Sequence, residues 1–303
     1  MSKTAKALIV AACLILLGAV IGGIGFFCGG WDSLTENYGP DAVANSQSWS
    51  EPVTKLEISA VSDDVVLLPS EDGKVRVDWK DTRYGYYEVS LERGTLEITY
   101  RDTEHWLRFD FGEEAPRTVA VYLPESTYES LLLTTVSGHA ASSGFSFADT
   151  EITTVSGQVC LNDGDLGETR IRTTSGDVVL DSCDASETEI RTTSGSVALH
   201  DYDAATTKIV TTSGEVGLGN GFFGEMTVET VSGDVVLDCY DAENTEIKTT
   251  SGNVIGTVTE PKLFYAETVS GTLEYPVNDY STGNFTVHTV SGDVKIEYQL
   301  NVE

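Results

Sequence analysis

Basic side chains are scarce in this sequence. Lys and Arg number 18 against 48 Asp and Glu in 303 residues, a formal net charge of −30. Such a surface repels nucleic acid and anionic polymers, which argues against DNA or RNA as partners. Cleavage of acidic polysaccharides fares no better, because residues 131–303 hold seven scattered basic side chains. Catalytic and metal signatures are also missing. His105, His139, His200 and His288 share no metal or triad spacing, and there is no HExxH, Gly-rich phosphate loop or paired Cys motif. No catalytic residue and no cofactor is assigned, and an enzyme ranks third among the function classes.

What the chain does have is a repeat. The pair Ser-Gly begins at Ser137, Ser156, Ser175, Ser194, Ser213, Ser232, Ser251, Ser270 and Ser291, seven steps of 19 residues and one of 21. A fixed period near 20 marks a solenoid, in which each coil buries its apolar face against its neighbours. Four residues before each Ser stand Leu133, Ile152, Ile171, Ile190, Ile209, Val228, Ile247, Ala266 and Val287. Two before it stands Thr every time, from Thr135 to Thr289, and the residues between are mostly polar. That alternation is a strand with one buried face. Past the Gly, pairs such as Val178 and Leu180 shift the inward parity by one, so a corner lies at Ser-Gly.

Nineteen extended residues have a contour of roughly 63 Å, enough for two strand faces of about 20 Å packed about 10 Å apart. The expected fold class is therefore all-β, a parallel β-solenoid of nine coils of about 19 residues and about 43 Å in length. The inward Thr column is read as structural. An ice- or crystal-binding face would need Thr pointing outward, away from flanking charge. Cys183 and Cys239 are three coils apart, roughly 14 Å, and Cys160 is out of column with Cys183, so free thiols are expected.

The segments KLEISAVSDDVVLLPSEDGKVRVDW (55–79) and TVAVYLPES (118–126), with the repeated TTSGDVVL, resemble the bacterial putative-adhesin family of β-strand-repeat surface proteins, a domain of unknown function. The resemblance covers about residues 51–303. It implies a β-solenoid at the cell surface and supplies no catalytic residues. Residue 63 is Asp where the later turns have Gly, so the first turn is degenerate.

Residues 7–31 carry no charge, and the run is long enough to span a bilayer. Lys3 and Lys6 before it, with Asp32 and Glu36 after it, keep the N-terminus cytoplasmic. A cleaved signal peptide is the rival, but the run exceeds a usual signal core and no clean small-x-small site follows. Gly18 and Gly22 form a small-xxx-small pair in this span, which a Gly-rich helix also explains. The expected organisation is a cytoplasmic tail (1–6), transmembrane anchor (7–30), linker (31–50), β-rich N-terminal head or cap (51–130) and solenoid (131–303). The expected location is the bacterial cell membrane, single-pass, with the solenoid outside.

Two sets of candidate residues remain. Asp165, Asp184, Asp203 and Asp241 fall in one turn column, with Phe222 interrupting it. Carboxylates about 4.8 Å apart repel by about 1 kcal/mol in water, so a shared Ca²⁺ would relieve strain; a solvated acidic turn is the favoured reading. Tyr202, Phe222 and Tyr240 lie at adjacent turn positions on three successive coils, an expected exposed ridge for stacking on a sugar or anchoring a protein. The rival is that the rings shield turns, and the clusters RYGYYEVS (83–90) and EHWLRFDF (104–111) fill the head. The first function class is a surface binding or adhesion module for a protein or glycan at the cell surface. The second is an envelope-sensing or scaffolding protein docking another membrane protein.

Overall fold

The computed structural model describes residues 42–82, 85–103, 117–277 and 283–299. The described residues from Val43 onward belong to one compact unit, and the description below is of that unit. The expected tail, the transmembrane anchor and EHWLRFDF lie outside the described residues. Among the described residues no helix is long and apolar enough to cross a membrane, and every regular element is a strand.

At the N-terminal side these are β1 (Val43–Trp49), β2 (Lys55–Ser59), β3 (Asp64–Pro69), β4 (Val75–Asp81), β5 (Gly85–Glu92), β6 (Thr95–Asp102) and β7 (Thr118–Leu123). The repeats begin with β8 (Thr127–Thr134), β9 (Ala140–Ser143), β10 (Ser146–Thr153), β11 (Val159–Asn162) and β12 (Glu168–Arg172). In the middle, each coil contributes one bent strand of 14 residues: β13 (Val178–Arg191), β14 (Val197–Val210), β15 (Val216–Glu229) and β16 (Val235–Lys248). Shorter strands close the series: β17 (Val254–Val258), β18 (Leu263–Glu267), β19 (Leu273–Glu274), β20 (Asn284–His288) and β21 (Val294–Tyr298). The long strands pair in parallel and in register, Val178 beside Val197, Val197 beside Val216 and Val216 beside Val235. The parallel β-solenoid of about nine turns is thus the observed fold.

The Ser-Gly corner shows why its residues are constant. Each Gly N–H donates to the Oγ1 of the Thr three residues earlier, at 2.8 Å for Gly176 and Thr173 and 3.0 Å for Gly195 and Thr192. That bond satisfies a buried donor and a buried hydroxyl together, so the inward Thr column is structural. A Cβ on Gly195 would overlap the carbonyl oxygen of Gly176, and the same close approach links each corner glycine to the coil beneath. Only glycine lets the backbones approach that closely. The residue before each Ser points outward, giving an exposed ladder of Val155, Thr174, Thr193, Thr212 and Val231 that the inward Thr column does not include.

A second corner, not foreseen as such, recurs at the same interval. Gly144, Asp163, Ser182, Asp201, Asn220 and Cys239 all have positive φ, between 40° and 78°. One left-handed residue reverses the strand's parity, so the residue after it turns into the core. The region expected to be a polar turn is therefore a bend in continuous strand.

At both ends, stacking order departs from chain order. β2 lies between β6 and β8, and β3 between β7 and β9. Likewise β20 lies between β16 and β18, and β21 between β17 and β19. The expected linker is shorter than 31–50, because β1 pairs antiparallel with β4 through all seven of its residues. Part of the expected head is solenoid, since β2 and β3 are rungs of the ladder; the cover is supplied by β1, β4 and β5.

Candidate functional site

The expected aromatic ridge does not form. Tyr202 and Tyr240 are 0% exposed, while Phe222 is 46% exposed. The physical reason is the left-handed residue before each tyrosine, Asp201 and Cys239, which rotates the phenol inward. Ring and small residue then alternate between coils. Tyr202 is followed by Ala204, Gly221 by Phe223, and Tyr240 by Ala242, so Phe223 fills the space that glycine leaves. The rings of Tyr202, Phe223, Tyr240 and Phe285 run through the core at centroid spacings of 6.3, 5.6 and 6.2 Å. Each buried phenol is satisfied by a threonine, Thr188 at 2.6 Å for Tyr202 and Thr245 at 2.9 Å for Tyr240, and burial pushes both hydroxyls to higher pKa. Cys183, also inward, is a free thiol whose pKa burial pushes up to about 12, and Cys160 is a free thiol as well.

Phe222 stays outside because its neighbour Phe223 takes the interior place. It lines an open groove of about 510 Å³ together with Asp184, Asp203, Glu225 and Glu243, over a floor of Ala185, Ala204, Ala205 and Gly224. The groove exists because the two positions between Asp203 and the column of Glu225 carry small side chains, Ala204 and Ala205 on one coil and Gly224 on the next. Gly224 must be small, since a Cβ there would meet the Ala205 carbonyl at 2.5 Å. The structure thus joins two sets that the sequence left separate, the aspartate column and the exposed phenylalanine.

The column itself is as expected: Asp165 bridges Asp184, which stands beside Asp203, while Phe222 stands beside Asp241. Its members have different surroundings. Asp165 Oδ1 accepts the Gly167 N–H at 3.1 Å, and Asp203 Oδ1 accepts the Phe222 N–H at 2.7 Å. Asp241 is ion-paired at 2.6 Å with Lys262, whose side chain is nearly buried. The chain's own ammonium therefore occupies one end of the acidic column.

A further constellation appears only in three dimensions. His200 Nδ1 lies 3.0 Å from Asp181 Oδ1 and 3.2 Å from Asp201 Oδ2, a trio of metal-ligating atoms in which Asp181 is half-buried and the other two exposed. Histidine spacings along the chain hide it, whereas the 19-residue column places Asp181 directly beside His200.

No curated protein matches the sequence. Among solved structures, a "putative lipid binding protein" from Parabacteroides distasonis is similar at 15% identity and TM-score 0.48, covering 86% of this chain and 98% of its own. A "putative adhesin" from the same organism has 16% identity and TM-score 0.45, covering 84% and 97%. Another, from Bacteroides fragilis, has 11% identity and TM-score 0.42, with the same coverage. The family model for Toastrack DUF4097 matches residues 53–299, nearly the whole solenoid with its N-terminal rungs. The chain belongs to the Toastrack DUF4097 family.

Proposed function

We propose that this protein is a membrane-anchored bacterial cell-surface binding module, and that its solenoid presents the groove around Phe222 to a cationic segment of a protein partner. The groove itself carries the reading: four carboxylates and an exposed ring face one space, and no basic side chain lines it. Lys262 on Asp241 supplies the precedent within the chain, since the same column already holds an ammonium group. A guanidinium suits the site better than an ammonium, because it pairs with carboxylates through a fork of donors and stacks on an aromatic face.

Titration calorimetry of the full chain in detergent with a short oligoarginine peptide tests this. A protein of net charge −30 attracts any polycation, so the informative variant is one that leaves the charge unchanged. Phe222→Ala should weaken binding about two- to five-fold, the value of an exposed cation–π contact, and oligolysine should bind less tightly than oligoarginine. Equal binding by wild type and Phe222→Ala would mean that the peptide reads overall charge, and the groove would lose its role.

A further inference from the structure

We infer that two copies of this chain associate through their C-terminal coils, pairing β18 with β18 of the partner subunit in antiparallel orientation. β18 and β19 are hydrogen-bonded on one side only, to β20 and β21, and among the described residues no strand covers their other edge. Leu263 donates to Gly283 and Glu267 accepts from Thr289, so residues 263, 265 and 267 direct their backbone groups inward. By the alternation of a parallel ladder, Phe264 and Ala266 turn theirs to the open edge. An uncovered edge of this kind is a template for another strand.

Three observations favour a second copy as its occupant. First, charge: residues 263–277 contain two charged side chains, Glu267 and Glu274. Within the same subunit Glu267 is hydrogen-bonded to His288 at 2.7 Å and Glu274 is ion-paired with Lys295 at 2.7 Å. The end is thus a place where a chain of net charge −30 can approach its like. Second, surface: Val269 and Val277 are 82% and 89% exposed, Leu263 and Tyr265 are exposed beside them, and the core ring Phe264 is half-buried, whereas Phe285 one rung inward is buried. Third, the other end of the stack is covered by antiparallel strands, β5 on β6 and β4 on β7. The edges left there belong to β1 and β5, whose outward positions are polar or charged, such as Asn45, Ser46 and Glu88, so the apolar edge of β18 matches a second copy of itself and closes by a two-fold axis instead of propagating.

Of the registers that the alternation allows, the one pairing both outward residues of each β18 is proposed. Phe264 faces Ala266 of the partner subunit, each pair exchanging two backbone hydrogen bonds, and Tyr265 lies beside the partner's Tyr265 on the axis. The buried area is small, on the order of 800 Å² in total for an end face of about 20 Å by 20 Å, so association is weak and depends on concentration.

The test uses the full chain carrying either of two affinity tags, co-expressed and solubilised in detergent, with one tag retrieved and the other quantified. Sedimentation of the wild type over a concentration series runs beside it. Ala266→Pro removes an N–H that the subunit itself does not use, and Tyr265→Lys places two like charges on the axis. Either should reduce retrieval of the second tag about ten-fold or more while leaving the melting temperature near that of wild type. Should Ala266→Pro misfold, Tyr265→Lys decides alone. A wild type that stays monomeric at every concentration, or retrieval that survives both substitutions, overturns the proposal; survival in both would place self-association elsewhere, such as the Gly18 and Gly22 face.

Discussion

The two ends of the stack use the same threading and differ in their cover. At each, a pair of strands is inserted between two rungs that are closer in sequence to each other: β2 and β3 at one end, β20 and β21 at the other. Insertion gives those strands hydrogen-bonded neighbours on both sides. Beyond this the ends diverge. The N-terminal rungs are closed by antiparallel strands with polar or charged outer positions, such as Asn45, Ser46 and Glu88. There the glycine ladder stops at Asp63, a buried residue; Arg117 Nε lies 2.7 Å from one of its oxygens and Tyr87 OH donates to the other at 2.5 Å. The C-terminal end keeps its glycine, Gly271, and leaves the strand edge open. A buried ion pair terminates one end, and exposed apolar side chains remain at the other. The difference implies that stability is concentrated toward the N-terminal rungs and the middle, while the C-terminal coil is the part free to exchange partners.

The largest effect is expected from one defect introduced in two places. Gly195→Ala and Gly271→Ala both drive a methyl group into the carbonyl of the adjacent coil, at Gly176 and Gly292 respectively. In mid-stack the defect separates two blocks of coils, so Gly195→Ala should cost more than about 4 kcal/mol and abolish the cooperative melt. At the open end the last rung alone detaches. Gly271→Ala should keep the main transition by circular dichroism and lose hydrogen-exchange protection in 263–277. Equal damage from the two would show that the ends are as tightly coupled as the middle.

Next in size is the ion pair. Arg117→Ala leaves the Asp63 carboxylate buried without its counter-ion, at a cost of about 3–5 kcal/mol in denaturant unfolding. Arg117→Lys should recover part of this, because an ammonium lacks the fork that also reaches Thr82 and Ser62 at 3.3 and 3.2 Å. An alanine variant as stable as wild type would mean that β1, β4 and β5, and not the ion pair, secure this end.

The comparison also shows which parts were legible in advance. Residues 133–138 and their equivalents are columns of like residues, because every coil repeats the same contact with the coil below; Thr and Gly are fixed there by one hydrogen bond and one close approach. The second corner has no such constancy. Asp, Ser, Asn, Cys and Gly all adopt the left-handed conformation it needs, so the column carries no single-letter signal and the inward turn of Tyr202 and Tyr240 stayed hidden. Threading at the ends is invisible for a related reason: Ser251, Ser270 and Ser291 make the same turn whichever order they stack in. The 21-residue interval before Ser291 is the one trace that the insertion of β20 and β21 leaves in the sequence. The groove needed both corrections, since it depends on Phe223 turning inward and Phe222 outward.

The smallest expected effect sharpens the contrast along the stack within the aspartate column, open at Asp184 and Asp203 and closed by Lys262 at Asp241. Millimolar Ca²⁺ should raise the melting temperature slightly, and Mg²⁺ at equal ionic strength should raise it equally. Neighbouring carboxylates about 4.8 Å apart repel by about 1 kcal/mol in water, and any divalent cation in the surrounding solvent screens that. A bound Ca²⁺ would need six to eight oxygen ligands, while one oxygen of Asp203 is already engaged by the Phe222 N–H. Removing the repulsion covalently should mimic the ions: Asp184→Asn should reproduce the rise in the absence of divalent cations and leave little further response to either. Lys262→Gln supplies the opposite case, uncovering Asp241 and making the C-terminal part of the column respond to salt as the middle does. A rise with Ca²⁺ well beyond that with Mg²⁺, lost in Asp203→Asn, would instead assign the column as a calcium site, because selective stabilisation requires binding to the native state alone.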